Sequence, residues 1–277
     1  MTGHTDMRLF VTDLDGTLLL EDHESVSGNT FKALGRLREK GVKLCACTGR
    51  VRGLIPDAIR EIGFDYAITS NGAVCEDLRS GEKVFTAYMN ETKARFLYRV
   101  MHSFPYILEW YVDGEIMMDR VNRERWPEQM KNPWHRKYLG AGKGVFVDEM
   151  EEFFCLGAPK LEKLNVIGRK TGEAYDRELI ENASEYNLTS SLGPNMEISD
   201  CLADKGRALQ SLCRYLHIPL EQSVAFGDGR NDIPLLQAAG IGVAMGNAVP
   251  EVKEASDAVT LTNMEDGIAF WLEQAGF

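Results

Sequence analysis

Hydrophobic positions in the first third of the chain alternate between short apolar runs and longer segments with one apolar face. The runs RLFVTD, VKLCACT and YAITS predict strands. The intervening segments SGNTFKALGRLREKG and VRGLIPDAIREIG predict helices, and Ser27 and Gly41 are suitable residues to begin and end the first of them. Strands that alternate with helices in this way indicate a parallel sheet covered on both faces.

This pattern changes after Asn71-Gly72. The stretches AVCEDLRSGEKVFTAY and YILEWYVDGEIMMDR each predict a hairpin, with turns at Ser80-Gly81 and Asp113-Gly114. The segment ETKARFLYRVMHSF between them predicts a helix, and KLNVIGR, AYDRELIENASEY and SSLGPNMEIS predict a further strand, helix and strand. From Lys205 the alternation of helix and strand resumes. The middle of the chain is therefore expected to differ from both ends.

Together these patterns predict an α/β fold with a discontinuous core. Residues 1–87 and 202–277 are expected to form a Rossmann-like core with a parallel sheet, and residues 88–201 an inserted α+β cap domain. The length of 277 residues is sufficient for two such domains, and 44% hydrophobic and 26% charged residues are ordinary values for a globular protein.

Charge and cysteine usage restrict the partners and the compartment. A net charge of −11 argues against nucleic acid or an anionic membrane as the main partner, and no apolar run is long enough to span a bilayer. The N-terminal stretch MTGHTDMRLF lacks the features of a signal peptide. Six cysteines without CxxC spacing fit buried, reduced thiols, and the Cys45–Cys47 pair fits core packing better than a metal site. We expect a cytoplasmic protein, and the sequence does not predict its oligomeric state.

Two aspartates stand on alternate positions where the first strand ends. Asp13 and Asp15 would repel each other there unless a cation lay between them. Ligands of open parallel sheets bind beyond the carboxyl ends of the strands, where GDGRND would place Asp228 as well. Mg²⁺ prefers such oxygen ligands together with a substrate phosphate. The three aspartates therefore predict a Mg²⁺ site.

Other polar groups at the same edge of the sheet suit a phosphate. The candidate donors are the Thr48 hydroxyl, the Lys205 ammonium, the Asn231 amide, and the backbone N–H groups of Leu14 and Gly49. An aspartate nucleophile can form an aspartyl-phosphate. A second carboxylate two residues further on can protonate the leaving oxygen and later activate water.

This combination of motifs resembles the haloacid dehalogenase superfamily, and within it the Cof-type branch (subclass IIB), which carries a large αβ cap between the second and third motifs. The stretch AGIGVAMGNAVPEVKEASDAVTLTNMEDGIA is similar to the Cof-type C-terminus, whereas the cap resembles the family mainly in size and element order. The resemblance implies a nucleophile and Mg²⁺ ligand at Asp13, and an acid/base at Asp15 that also binds Mg²⁺ through its backbone carbonyl. It further implies a metal ligand at Asp228, phosphate binding by Thr48, Gly49, Lys205 and Asn231, and supporting roles for Asp232 and Arg50.

One residue departs from the family pattern. The position before the motif-three lysine usually holds a small hydroxyl or amide residue, but here it is Asp204. Its carboxylate could pair with Lys205 or stay in solvent, and the sequence leaves both alternatives open.

The predicted function is a Mg²⁺-dependent phosphatase for a small phosphorylated metabolite, such as a sugar phosphate. A phosphomutase of the same superfamily and a non-catalytic module that binds phosphate and Mg²⁺ are the alternatives. Specificity is expected to depend on the cap, where Arg123, Trp134 and His135 lie in a basic and aromatic stretch. That stretch is also compatible with a solvated amphipathic surface. The glycine-rich GAGKG lacks the spacing of a nucleotide-binding loop and is expected to be a turn.

Overall fold

The structure is a computed structural model that describes residues 6–102, 104–129, 144–155, 160–168, 184–190 and 195–277. Trp134, His135, most of the GAGKG stretch and most of the helix predicted in AYDRELIENASEY lie outside these residues.

The chain divides into two compact units. The first contains the chain up to Gly49, Ile55–Thr86 and Asp204–Phe277, and the second contains Arg50–Leu54 and Ala87–Ala203. The sequence predicts an inserted domain at residues 88–201, and the continuous part of the second unit is Ala87–Ala203. The assignment of Arg50–Leu54 to the second unit was not predicted.

The first unit is built on an eight-stranded sheet in which β1 is central. Strands follow the order β14-β13-β12-β1-β2-β3-β4-β5. All neighbours from β14 to β3 are parallel, while β4 and β5 form the predicted antiparallel hairpin. The strands are β1 (Leu9–Thr12), β2 (Lys43–Cys47), β3 (Tyr66–Thr69), β4 (Val74–Asp77), β5 (Lys83–Thr86), β12 (Ser223–Gly227), β13 (Ile241–Ala244) and β14 (Ala258–Val259). The predicted α/β fold with a mainly parallel sheet is confirmed.

Helices cover both faces of this sheet. Phe10 packs on one face with α1 and α9, and Val11 packs on the other with α6 and α7. All four residues of β1 are buried, as expected for a central parallel strand. The helices are α1 (Gly28–Glu39), α2 (Asp57–Ile62), α6 (Lys205–Leu216), α7 (Ile233–Ala238), α8 (Pro250–Glu254) and α9 (Gly267–Gln274).

The second unit contains a six-stranded sheet in the order β10-β11-β9-β6-β7-β8. Its pairs are antiparallel except for β7 with β8. The predicted hairpin turn at Asp113-Gly114 is confirmed, and both residues have positive φ values, of 47° and 88°. The elements are α3 (Glu91–His102), β6 (Ile107–Val112), β7 (Glu115–Asp119), α4 (Arg120–Gln129), β8 (Val145–Val147), α5 (Met150–Cys155), β9 (Leu161–Ile167), β10 (Tyr186–Thr189) and β11 (Met196–Asp200).

The two faces of this second sheet differ in chemistry. On one face Trp110, Leu164 and Ile198 pack with residues of α3 and α5 in an apolar core. On the other face Glu109, Asn165 and Glu197 are neighbours across three strands and all are buried. We call these three residues with Lys163 the polar row. Within the described ranges, no helix of either unit is long and apolar enough to cross a membrane.

Candidate active site

Three segments of the first unit end at one edge of its sheet. Strand β1 pairs with β2 on one side and with β12 on the other, so the strand order reverses there. Such a reversal creates a crevice at the carboxyl ends of the strands, where ligands bind in this class of sheet. Asp13 follows β1, Thr48 follows β2 and Asp228 follows β12. The predicted motifs therefore meet at this edge.

The turn after Asp13 brings the backbone close to Asp228. Gly16 has a φ of +78°, and a Cβ at this position would lie 2.4 Å from Asp228 Oδ2. Thr17 Oγ1 donates a hydrogen bond of 2.7 Å to Asp228 Oδ1. Asn247 Nδ2 donates one of 2.8 Å to the Gly16 carbonyl. Only glycine fits at position 16, because any side chain there would displace the Asp228 carboxylate.

Lys205 is the first residue of α6, directly after Asp204. The Asp204 carboxylate accepts a hydrogen bond of 2.8 Å from the Arg207 backbone N–H and lies 2.9 Å from Arg207 Nε. Asp204 therefore caps the helix, which is the role that a small hydroxyl or amide residue has at such a position. Both alternatives left open by the sequence are replaced by this arrangement, and the Lys205 side chain points to other partners.

The ammonium group of Lys205 holds two carboxylates in place. Lys205 Nζ lies 2.6 Å from Asp13 Oδ1 and 2.5 Å from Asp232 Oδ1, and the lysine is 1% exposed. The other oxygen of Asp232 accepts hydrogen bonds from the backbone N–H groups of Asp228 and Gly229, at 3.0 and 2.9 Å. Both oxygens of Asp232 are thus occupied, which fits the predicted supporting role better than a role as a ligand.

Two carboxylate oxygens at this point, Asp13 Oδ2 and Asp228 Oδ2, accept no hydrogen bond from the described residues. One oxygen each from Asp13, Asp228 and Asp232 lies within 4.8 Å of the others. Hard carboxylate oxygens at such distances suit Mg²⁺.

Burial and neighbouring carboxylates raise the pKa values of two aspartates at this edge. Burial raises the pKa of Asp13 well above its ordinary value, and Asp232 and Asp228 raise it further against the opposing effect of Lys205. Burial and Asp232 raise the pKa of Asp228 to about 6. Burial lowers the pKa of Lys205, but Asp13 and Asp232 outweigh this effect and raise it well above its ordinary value. A divalent cation would favour the ionised form of both Asp13 and Asp228.

The predicted phosphate donors lie on neighbouring loops of the same edge. Thr48 is buried, and its carbonyl accepts a hydrogen bond of 3.1 Å from the Asn71 N–H. Asn231 Nδ2 donates one of 3.1 Å to Asn71 Oδ1. Ser70, Asn71 and Gly72 all have positive φ values, so the chain makes a tight turn after β3. In the sequence, Asn71-Gly72 marks a break in the pattern, and this dipeptide at a strand end also indicates such a turn.

Two residues that are absent from the predicted site, Thr17 and His23, contact Asp228 and Asp15. Thr17 bonds Asp228 as described above, and His23 Nδ1 lies 2.7 Å from Asp15 Oδ1. Thr17 could have been found from the sequence, because it belongs to the DGT motif that begins at Asp15. His23 had no signal of this kind, since none of the histidines has metal-ligand spacing and the contact depends on the fold of a loop.

Three other predicted residues have contacts of their own. Arg50 belongs to the second unit, where its Nη1 donates a hydrogen bond of 3.1 Å to the Leu54 carbonyl. Arg123 is exposed, and its guanidinium lies 4.4 Å from the centre of the Phe146 ring. Leu14 is buried in the turn after β1, where its carbonyl accepts a hydrogen bond of 2.9 Å from the Leu19 N–H.

Comparisons with known proteins agree on one family. A model described as haloacid dehalogenase-like hydrolase matches residues 10–272. The phosphatase YwpJ of Bacillus subtilis is 32% identical, over 96% of this chain and 99% of its own. The 5-amino-6-(5-phospho-D-ribitylamino)uracil phosphatase YcsE of the same organism is 28% identical, over 95% and 94%. A solved structure of a haloacid dehalogenase-like hydrolase from B. subtilis is similar with a TM-score of 0.82 and 29% identity, over 96% and 99%.

Proposed function

Because the chain belongs to the haloacid dehalogenase-like hydrolases, we propose that it hydrolyses small phosphomonoesters through an aspartyl-phosphate on Asp13. The observation that carries this proposal is that the two oxygens of the Asp13 carboxylate have different surroundings. Lys205 holds Oδ1 at 2.6 Å, while Oδ2 accepts no hydrogen bond from the described residues. A carboxylate fixed through one oxygen presents the other as a nucleophile in one orientation.

The reaction needs two steps at the same group. Asp13 Oδ2 forms a bond to phosphorus as the ester P–O bond breaks, and the leaving oxygen takes its electron pair and a proton from Asp15. Water then attacks phosphorus and gives a proton to Asp15, which releases inorganic phosphate and restores the Asp13 carboxylate. Lys205, Thr48 and Asn231 supply donors for the phosphoryl oxygens.

Mg²⁺ fits the residues present at this edge. The side chains of Asp13 and Asp228, with the Asp15 backbone carbonyl, would hold it. When bound, the ion would neutralise charge on the phosphoryl group. Asp232 would keep Asp228 in place, because its Oδ2 accepts hydrogen bonds from the backbone N–H groups of Asp228 and Gly229.

We further propose that the substrate carries a hydroxyl-rich organic half, as sugar phosphates do. YcsE, at 28% identity, is a phosphatase for a compound with a phosphorylated ribityl chain. The groups of the first unit described above serve phosphate and cation, so recognition of the organic half is assigned to the second unit. Its polar row supplies carboxylate, amide and ammonium groups that suit hydroxyls.

The test is phosphate release from a panel of sugar and polyol phosphates, with 4-nitrophenyl phosphate as a generic substrate. Asp13→Asn should abolish both turnover and phosphoenzyme formation. Asp15→Asn should still form phosphoenzyme but turn over about 10²- to 10⁴-fold more slowly. Asp57→Asn removes an exposed carboxylate at the start of α2 and serves as the control.

Three results would contradict parts of the proposal. Full activity in excess EDTA would exclude the metal, and equal loss of phosphoenzyme in both variants would exclude separate roles for the two aspartates. Conversion of a sugar phosphate into its isomer without phosphate release would instead identify a phosphomutase.

A further inference from the structure

A short closed loop follows the turn that carries Asp15. In this loop, residues 20–25, the Leu20 N–H donates to the Ser25 carbonyl and the His23 N–H donates to the Leu20 carbonyl, both at 3.0 Å. The Asp22 carboxylate accepts hydrogen bonds from Glu24 N–H at 3.0 Å, Ser25 N–H at 2.9 Å and Ser25 Oγ at 2.6 Å. Such a set of local bonds holds the loop in one conformation. We call it the His23 loop.

The His23 loop directs one side chain at the acid/base carboxylate. His23 Nδ1 lies 2.7 Å from Asp15 Oδ1. His23 has a φ of +58°, a left-handed conformation that glycine adopts freely and that other residues adopt at a cost. The imidazole contact is what a histidine adds at a position where glycine would form the same turn with less strain. We propose that His23 is a positioning residue for Asp15, an inference that rests on the proposed function.

The chemistry of a carboxyl group explains what this contact does. With hydrogen on Nδ1, the imidazole donates to Asp15 Oδ1 whether the group is a carboxylate or a carboxylic acid, since Oδ1 remains an acceptor in both. Oδ2 is then the oxygen that carries the proton. In phosphoryl transfer that proton passes from Oδ2 to the leaving oxygen, while Asp13 forms its bond to phosphorus and the ester P–O bond breaks.

The effect of such positioning depends on the leaving group. An alkoxide leaves poorly and needs its proton during bond cleavage, whereas 4-nitrophenolate leaves without one. Loss of the His23 contact should therefore slow cleavage of alkyl phosphates and leave cleavage of 4-nitrophenyl phosphate almost unchanged. The parameter to measure is kcat/KM, because it includes transfer to Asp13 and excludes the later hydrolysis of the phosphoenzyme.

Two substitutions separate the contact from the backbone conformation. His23→Gly removes the imidazole and tolerates the positive φ. His23→Asn also tolerates it and places an amide nitrogen at the position of Nδ1. We expect His23→Gly to lower kcat/KM about tenfold for glycerol phosphate and less than twofold for 4-nitrophenyl phosphate, and His23→Asn to restore most of the loss. Glu21→Gln, an exposed change in the same loop, is the matched control.

The outcomes are distinct. An equal loss with both substrates, no loss with either, or failure of His23→Asn to restore the alkyl phosphate activity would overturn the positioning role. Wild-type enzyme that releases no phosphate from any monoester would overturn the proposed function itself. Wild-type activity is therefore measured before the variants are compared.

Discussion

At the scale of single residues, one buried ammonium organises the candidate site. Lys205 contacts Asp13, the proposed nucleophile, and Asp232, and all three side chains are buried. Charges in a buried environment interact more strongly than at the surface, and removal of one partner destabilises the protein more. Lys205 therefore fixes the orientation of the Asp13 carboxylate, and in the proposed function it also supplies charge to the phosphate.

Asp228 leads to a prediction about pH. Burial, followed by repulsion from Asp232, raises its pKa in the folded protein to about 6, whereas an unfolded chain keeps the ordinary value near 3.9. The folded protein thus holds a proton between these values that the unfolded chain has lost. The contribution of Asp228 to the free energy of unfolding of the metal-free protein should fall as pH rises from about 4 to about 6, by up to about 3 kcal/mol.

Urea unfolding in EDTA across this pH range measures the effect, with Asp228→Asn as the comparison. The difference in unfolding free energy between wild type and variant should change between pH 4 and pH 6 and then become constant. Parallel pH curves for the two proteins would show that Asp228 keeps its ordinary pKa. Added Mg²⁺ should stabilise wild type at pH 7 more than it stabilises the variant.

At the scale of elements, the strands and their polar ends could be predicted because each carries a local signal. The apolar runs before Asp13 and Asp228 identify strands, and acidic residues at their ends identify the edge. His23 and Asn71 could not be assigned to the site in this way. His23 contacts Asp15, eight residues earlier, and Asn71 contacts Asn231, 160 residues later. Neither contact follows from a local pattern in the sequence.

The helix-capping role of Asp204 could not be predicted from the sequence either. A carboxylate beside Lys205 suggests an ion pair by sequence, but the first turn of α6 directs the two side chains to different partners. The direction of each side chain depends on the geometry of the first helical turn, which the identity of two adjacent residues does not reveal.

The polar row of the second sheet provides a stability prediction. Lys163 Nζ lies 2.5 Å from Glu197 Oε1, and the two side chains are 1% and 4% exposed. Lys163→Met leaves the Glu197 charge buried without this partner and should lower the unfolding free energy by about 3–5 kcal/mol. The double change Lys163→Met with Glu197→Leu removes both charges and should recover much of that loss.

Urea denaturation followed by tryptophan fluorescence compares these proteins, since Trp110 lies in the apolar core of the second unit. If the double variant is as unstable as the single variant, the cost arises from packing around Lys163 and not from an unpaired charge. The stacking of Lys163 on the Tyr111 ring, at 4.5 Å from its centre, is lost in both variants and does not affect the comparison.

At the scale of the whole molecule, the two units are proposed to divide phosphate chemistry from substrate choice. Arg123 in α4, with its guanidinium over Phe146, is the described member of the three predicted specificity residues. Arg123→Ala should change the ratio of kcat/KM for two sugar phosphates and leave Mg²⁺ affinity nearly unchanged. Trp134 and His135 stay predictions of the same kind.

Arg99→Ala is the matched control, because Arg99 is an exposed arginine of the same unit that pairs with Glu151. A ratio that stays constant in Arg123→Ala would identify Arg123 as solvated surface and place the specificity residues elsewhere in the cap. A ratio that changes equally in both arginine variants would indicate a general effect of charge.

The central position of β1 has a consequence for synthesis of the protein in the cell. One neighbour of β1 is β2, which follows within 35 residues, but the other is β12, whose register partners lie more than 200 residues later. A ribosome therefore exposes β1 with an open edge for most of the time that it takes to translate the chain. Lys205, Asp228 and Asn231 emerge in that same late segment. Closure of the sheet thus coincides with the synthesis of these three residues, and a nascent chain carries Asp13, the proposed nucleophile, before the groups that are proposed to act with it.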